Sequence, residues 1–228
     1  MLNEPDPVLK GRLYIVATPI GHPRDITLRA LDVLQGVDAV ICEETREGST
    51  LLKRLGISKE IIALNEHNEA DQAPKIAQRL LLENQSMALI SDCGTPVFAD
   101  PGASLISHVS QLGIPVVPVP GPSSLMAALS VLDTSLDRFL YAGFLPRDKE
   151  ERRKALRFLQ RQRIPLVIMD APYRLAQLME DVESIFGGAN ITLAVDITLP
   201  GERIFRGPAN LVRREVGQRK AEFVLIIH

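Results

Sequence analysis

Residues 87–102 constrain the fold more than any other stretch. Met87, Ala88, Leu89 and Ile90 form a short apolar run with the length of a buried strand. The run ends at Ser91. Residues 92–102 then supply Gly94, Thr95, Pro96, Asp100, Pro101 and Gly102, the residues of a long turn, and residues 103–112 read as an amphipathic helix. A strand that feeds a polar loop into a helix is half of a βαβ unit. Such units build open parallel sheets, whose ligands sit just beyond the carboxyl ends of the strands. Residues 91–102 are therefore where small-molecule chemistry is expected.

The same alternation runs through the first half of the chain. Residues 13–17 read as the first strand and 18–23 as its turn. Asp25 is the expected N-cap of a helix with the apolar stripe Ile26, Leu28, Leu31 and Leu34. A dinucleotide fold needs G-x-G-x-x-G at this turn, so that backbone N–H groups can surround a pyrophosphate. Here Pro19 removes a donor and Gly21 is the one glycine. A parallel sheet without a phosphate cradle follows. Residues 38–42 make the second strand, which runs into Glu43, Glu44 and Arg46. That trio reads as a site or as an acidic helix start. Leu51, Leu52 and Leu55 mark a helix that Gly56 closes. After a strand at 61–64, His67 lies between Glu66 and Glu69, a candidate general base. Ile76, Leu80 and Leu81 mark the next helix. Residues 114–119 are another strand, and Ser123 and Ser124 open the helix of Leu125, Leu129 and Leu132. Those serines either cap the helix or offer N–H groups to a carboxylate.

The later strands are expected at 139–142, 166–169, 191–195, 203–205 and 223–227. The last of them are too closely spaced for long crossovers, so the second half is expected to hold a mixed sheet. The expected division is an N-terminal α/β domain over 1–121 and a C-terminal α/β domain over 122–228. Between 147 and 163 stand Arg147, Lys149, Arg152, Arg153, Lys154, Arg157, Arg161 and Arg163. Arg153, Arg157 and Arg161 share one helical face, with Leu156 and Leu159 opposite. The segment is a solvated helix or a phosphate-tracking surface.

Composition narrows the function classes. With a net charge of −2, the protein does not hold nucleic acid by bulk charge, so a nucleic-acid partner has to meet a local patch. Two cysteines, Cys42 and Cys93, make neither a disulfide framework nor a four-ligand zinc site, and no metal is expected. Residues 1–7 are polar and lack the apolar core of a signal peptide. No apolar run is long enough to span a bilayer, so no membrane association is expected. A reducing cytoplasm is the expected compartment.

In order and spacing, residues 13–21, 25–31, 91–96 with 100–102, 118–123 and 143–147 resemble the tetrapyrrole methylase superfamily of S-adenosylmethionine-dependent methyltransferases. Within it the chain is most similar to the branch that methylates a cytidine ribose 2′-hydroxyl in small-subunit ribosomal RNA. The likeness runs from about Gly11 to Ile227. It implies two α/β domains, the first mostly parallel and the second mixed, with S-adenosyl-L-methionine in the cleft between them. It also implies a homodimer and a ribosomal RNA or small-subunit partner. By position, the donor residues are Pro19, Cys93, Gly94, Thr95, Val97, Ser123 and Ser124, joined by Asp170, Ala171, Pro172 and Thr198. Arg46, Arg147, Arg153 and Arg157 are the candidates to hold substrate. A ribose hydroxyl is a poor nucleophile, and Glu43, Glu44, Asp92 and His67 are the candidate bases.

The chain also departs from that branch. Glu43-Glu44-Thr45-Arg46 replaces Glu-Asp-Thr-Arg, and Ala171-Pro172-Tyr173-Arg174-Leu175 replaces Ser-Pro-His-Arg-Leu. Val195-Asp196-Ile197-Thr198-Leu199 replaces Arg-Glu-Leu-Thr-Lys, and the branch's helical extension has no counterpart before His228. Two other readings therefore stand beside RNA methylation: a methylase of a tetrapyrrole-like small molecule, and a non-catalytic homologue that binds the cofactor.

Overall fold

The computed structural model describes residues 8–98 and 100–228. The chain divides into two compact units, one running up to Ser123 and one from Ser124 to His228.

The first unit is built on five four-residue strands, β1 (Leu13–Val16), β2 (Ala39–Cys42), β3 (Glu60–Ala63), β4 (Met87–Ile90) and β5 (Val116–Val119). All neighbours are parallel and the order is β3-β2-β4-β1-β5. The sheet is covered on both faces, which is why its central strands read as unbroken apolar runs. Leu13, Ile41, Met87 and Leu89 pack on α3 (Glu69–Leu82) and α4 (Ala103–Gln111). Val16, Val40, Cys42 and Ile90 pack the other way, against α1 (Leu28–Gly36) and α2 (Thr45–Arg54). Pro118 sits in β5, an edge strand, where a missing N–H costs least.

The helix after β1 begins later than Asp25. Residues Pro23–Asp25 form a short 3₁₀ turn, and the side chain of Thr27 caps α1 by accepting from the Ala30 N–H at 3.1 Å. Pro23 explains the shift: its fixed φ and missing N–H suit the start of a turn. The buried face of α1 is Ala30, Val33 and Leu34, while Leu28, expected in the buried stripe, is 68% exposed at the first position of the helix. Leu81 is likewise an exposed member of α3, and Leu132 lies beyond α5 (Ser124–Ser130).

The second unit holds β6 (Leu140–Gly143), β7 (Leu166–Met169), β8 (Asn190–Val195), β9 (Arg203–Pro208) and β10 (Phe223–Ile227) in the order β6-β7-β10-β8-β9. Only β6 and β7 run parallel, so the sheet is mixed. One face packs Ile168, Leu193 and Leu225 against α6 (Lys149–Arg161), α7 (Leu175–Phe186) and α8 (Ala209–Val216). The other packs Val167, Ala194 and Val224 on Ala128 of α5. Among the described residues, no helix is long and apolar enough to cross a membrane.

Candidate active site

In the first unit the chain leaves β1 and β2 toward one face of the sheet and leaves β4 toward the other. The loops therefore part at the carboxyl ends of these strands, the position where open α/β sheets take ligands.

Backbone hydrogen bonds lock the loops together. The Thr18 N–H donates to the Gly94 carbonyl at 2.9 Å, and the Gly94 N–H returns to the Thr18 carbonyl at 3.1 Å. Thr18 Oγ1 donates to the Ser91 carbonyl at 3.1 Å, and Thr95 Oγ1 donates to the Pro122 carbonyl at 3.2 Å. Gly94 has φ +81°, and a Cβ there would lie 3.3 Å from Ile20 Cγ2. A side chain at this position would thus meet both backbone strain and the neighbouring turn.

The far end of the loop is strained and buttressed. Val97, a β-branched residue, has φ +72°. Its Cγ2 would lie 2.9 Å from any Cβ on Gly102, whose own φ is +133°. Glycine at 102 makes room for the Val97 side chain, and that packing holds the unfavourable backbone in place. Gly102 has no side chain with which to cap α4. Glu69 of α3 supplies the cap, its Oε1 accepting from the N–H groups of Gly102 at 3.0 Å, Ser104 at 2.9 Å and Leu105 at 3.4 Å.

Acids gather at the same strand ends. Burial raises the Glu43 carboxyl above the usual range, and Asp100, Asp92, Glu44 and Glu66 push it the same way. Asp92 is raised first by burial, against a hydrogen bond from the Glu44 N–H, and further by Glu44, Asp100 and Glu47. Asp100 accepts from Ser91 Oγ at 2.5 Å. His67 stands apart in the turn before α3. Its side chain is 86% exposed, with the Glu66 carboxylate 3.5 Å from its Nε2.

A cavity of about 580 Å³ opens within this unit. Its walls are the first turn (Pro19, Ile20), the head of α1 (Leu28, Leu31), one face of α2 (Glu47, Leu51, Arg54), and Asp92 with Cys93. Three sequence candidates, Pro19, Asp92 and Cys93, line it together. Gly94, Thr95, Val97 and Ser123 lie in the adjoining loops, and Glu43, Glu44, Arg46 and His67 lie outside its walls. Glu47, Arg54 and Glu69 were not singled out from sequence. The spacing of Glu47, Leu51 and Arg54, at i, i+4 and i+7, was the available signal for the first two.

In the second unit, Asp170 directly follows β7 and is buried. Its Oδ1 accepts from the Ala171 N–H at 2.8 Å and from Arg174 Nη1 at 2.9 Å, while Oδ2 has no hydrogen-bond partner among the described residues. Burial raises its carboxyl despite these donors. Arg174 also donates to the carbonyls of Leu145 at 2.9 Å and Pro146 at 2.6 Å, and Arg152 Nη1 donates to that of Arg147 at 3.0 Å. Two arginines thus fasten three consecutive carbonyls of the loop that presents Arg147. Pro172 starts a 3₁₀ turn, and Thr198, at φ +65°, donates its N–H to Glu202 at 2.7 Å. Ser124 is the first residue of α5. Arg157 is exposed on α6, whereas Arg153 donates to Asp181 at 2.6 Å. Asp181, itself buried, also binds Arg152, so the first cation of the expected phosphate-tracking face is engaged by a carboxylate of the fold.

The sequence profile described as Tetrapyrrole (Corrin/Porphyrin) Methylases matches residues 12–212. The ribosomal RNA small subunit methyltransferase I of Escherichia coli O157:H7 is 40% identical over 223 residues, covering 96% of this chain and 78% of the relative. Its namesake from Xylella fastidiosa is 40% identical over 222 residues, covering 95% and 81%. Among solved structures, diphthine synthase superposes with a TM-score of 0.73 at 12% identity, covering 94% of this chain and 88% of that one. Uroporphyrin-III-C-methyltransferase from Thermus thermophilus gives 0.61 at 22%, covering 96% and 94%. These two likenesses show the shared fold. With the profile matching nearly the whole chain, this protein belongs to the tetrapyrrole (corrin/porphyrin) methylases.

Proposed function

We propose that the chain transfers a methyl group from S-adenosyl-L-methionine to the 2′-hydroxyl of a cytidine ribose in small-subunit ribosomal RNA. The observation that carries this is the 40% identity to a ribosomal RNA small subunit methyltransferase I across 96% of the chain. The resemblance to that branch brings with it a homodimer working in the cytoplasm.

The first unit's loops suit this donor. A sulfonium nucleoside carries no phosphate, so a first turn with Pro19 in place of an N–H cradle loses nothing. Glycine-shaped backbone at Gly94, where a Cβ would crowd Ile20, leaves room for close approach. Pro19, Cys93, Gly94, Thr95, Val97 and Ser123 are the first unit's donor residues in this reading. Ser124, Asp170, Ala171, Pro172 and Thr198 are the second unit's candidates on the resemblance.

S-adenosyl-L-methionine supplies an activated methyl group and a neutral thioether leaving group, so no acid is needed. The protein holds the acceptor oxygen in line and removes its proton. Asp92 is our choice of base. It lines the cavity beside Pro19 and Cys93, and its raised carboxyl is a stronger base than an ordinary aspartate. His67, out in water, lacks an element that would orient it. Arg46, Arg147 and Arg157 are exposed cations able to meet phosphates.

The test is transfer of radiolabelled methyl groups into small ribosomal subunits that lack ribose methylation. Label in a cytidine ribose is expected. Donor binding without transfer would leave a non-catalytic homologue, and label in a tetrapyrrole alone would make the chain a small-molecule methylase.

A further inference from the structure

We infer that the cavity walled by the first turn, α1 and α2 receives the base of the target nucleotide, and that Glu47 reads the exocyclic amine of cytosine there. This rests on the reading of the chain as an RNA ribose methyltransferase.

The cavity, about 580 Å³, falls in the range of about 300–1,000 Å³ usual for small-ligand sites. Its wall is aliphatic, from Ile20, Leu28, Leu31 and Leu51. Leu28 is the telling member. At 68% exposure it adds an uncovered apolar side chain to a wall that also holds Ile20, Leu31 and Leu51, so the apolar surface there is continuous rather than a single residue. Four charged residues share the lining: Arg24, Glu47, Arg54 and Asp92. Among the described residues, the side chains of Glu47, Arg54 and Arg24 make no ion pair or hydrogen bond. An apolar slot edged by uncommitted charges of both signs suits a ligand with a flat face, a polar edge and an anionic backbone. A nucleotide has all three.

The signs favour cytosine. Its polar edge offers an amine donor at one corner and acceptors beside it, and a carboxylate accepts from that amine. Uracil places a carbonyl oxygen at that corner, where Glu47 repels it. Guanidinium groups at Arg24 and Arg54 complement the remaining acceptors and the flanking phosphates. A tetrapyrrole bearing carboxylates would instead meet repulsion from Glu47 and Asp92. Entry of a base requires that it leave its stack, as it does in enzymes that act on flipped nucleotides.

The experiment compares methyl transfer into small ribosomal subunits carrying cytidine or uridine at the acceptor position, with donor affinity measured by calorimetry. Glu47→Gln is expected to lower the cytidine-over-uridine rate ratio about tenfold, because an amide can turn a donor toward uracil. Leu28→Trp fills the slot from an exposed position and is expected to lower kcat/KM at least about tenfold. Both variants are expected to keep wild-type donor affinity and melting temperature. If the wild-type protein methylates subunits while Glu47→Gln keeps the ratio and Leu28→Trp keeps the rate, the inference is wrong and the enzymatic reading stands. Pro19 and Cys93, assigned to the donor above, line one part of this cavity; loss of donor affinity on changing Glu47 or Leu28 would extend the donor over the α1 and α2 walls as well and overturn the inference. Absence of transfer by the wild-type protein to any RNA would remove both.

Discussion

Substituting Glu69 tests whether the loop of residues 91–102 is held from outside itself. Residues 91–102 are anchored near β4 by the paired Thr18 and Gly94 backbones, and at the head of α4 by the carboxylate of Glu69. Two of its three hydrogen bonds are short, at 3.0 and 2.9 Å, and the third is long at 3.4 Å. Losing a cap costs about 0.5–2 kcal/mol, typically about 1. Bonds to a charged acceptor are stronger, but Glu69 is part-exposed and its field is screened. Glu69→Ala is therefore expected to cost about 2 kcal/mol. Glu69→Gln keeps an acceptor oxygen and loses the charge at the positive end of α4, an expected loss of about 0.5–1 kcal/mol. In urea, with a slope of about 2 kcal/mol per molar, the alanine variant's midpoint falls by about 1 M. Calorimetry with S-adenosyl-L-methionine should show weaker binding in the same order, alanine worse than glutamine. Equal losses for the two variants, or an alanine loss under about 0.5 kcal/mol, would refute the reasoning, since water would then be serving as the cap.

Asp181→Ala strands the Arg152 side chain, 4% exposed and joined to Asp181 at 2.8 Å, and is expected to cost about 3–5 kcal/mol in thermal unfolding. Arg152→Met added to it should restore part of that loss. Asp92, raised by burial and by its acidic neighbours, predicts that kcat/KM falls as pH drops through a value above the ordinary aspartate range, and that Asp92→Asn removes this limb. Stability moves the other way. The folded state holds this proton more tightly than the unfolded chain, so the contribution is full below the unfolded pKa and lost as pH rises through the folded one. Cys42 is fully buried with its thiol pushed up to about 11, whereas Cys93 is exposed. Brief alkylation at pH 8 should therefore add one group, at Cys93 by mass spectrometry, more slowly when the donor is present.

The sheets were legible because they follow from local pattern. Four-residue apolar runs such as 87–90, separated by helix-length segments, require parallel strands covered on both faces, and the tight spacing of the later runs requires antiparallel neighbours. Helix starts were less legible. Asp25 and Thr27 are both good caps, and only the turn begun at Pro23 decides between them. Leu28, expected in the buried stripe, lies instead at the edge of a cavity. The resemblance pointed to the loops of β1, β4 and β5 as candidates to hold a donor, but it said nothing of the walls that α1 and α2 add beside them.

Charge was the least legible property, because its partners lie far along the chain. Arg152 and Arg153 read as members of a basic strip, and one carboxylate 29 and 28 residues away takes both. Glu69 reads as a flank of His67, yet it caps a helix whose first bonded N–H is 33 residues on. In both cases a charge with a structural partner passed for a chemical one. Glu47 and Arg54 present the opposite case. They resemble ordinary solvated residues of an amphipathic helix, and only the three-dimensional arrangement shows them beside an apolar wall without partners among the described residues. A cation or carboxylate is available to a substrate only after the fold has taken its share. For the basic helix, this leaves Arg157 and Arg161 of the face that began with Arg153. RNA held by that face should then lose affinity with salt at a slope of about two single-strand phosphate contacts rather than three, about −1.4 instead of −2.1 in log–log terms. Arg153→Gln should leave that slope unchanged while Arg157→Gln reduces it. An equal reduction by both would return Arg153 to the RNA and dissolve the distinction drawn from Asp181.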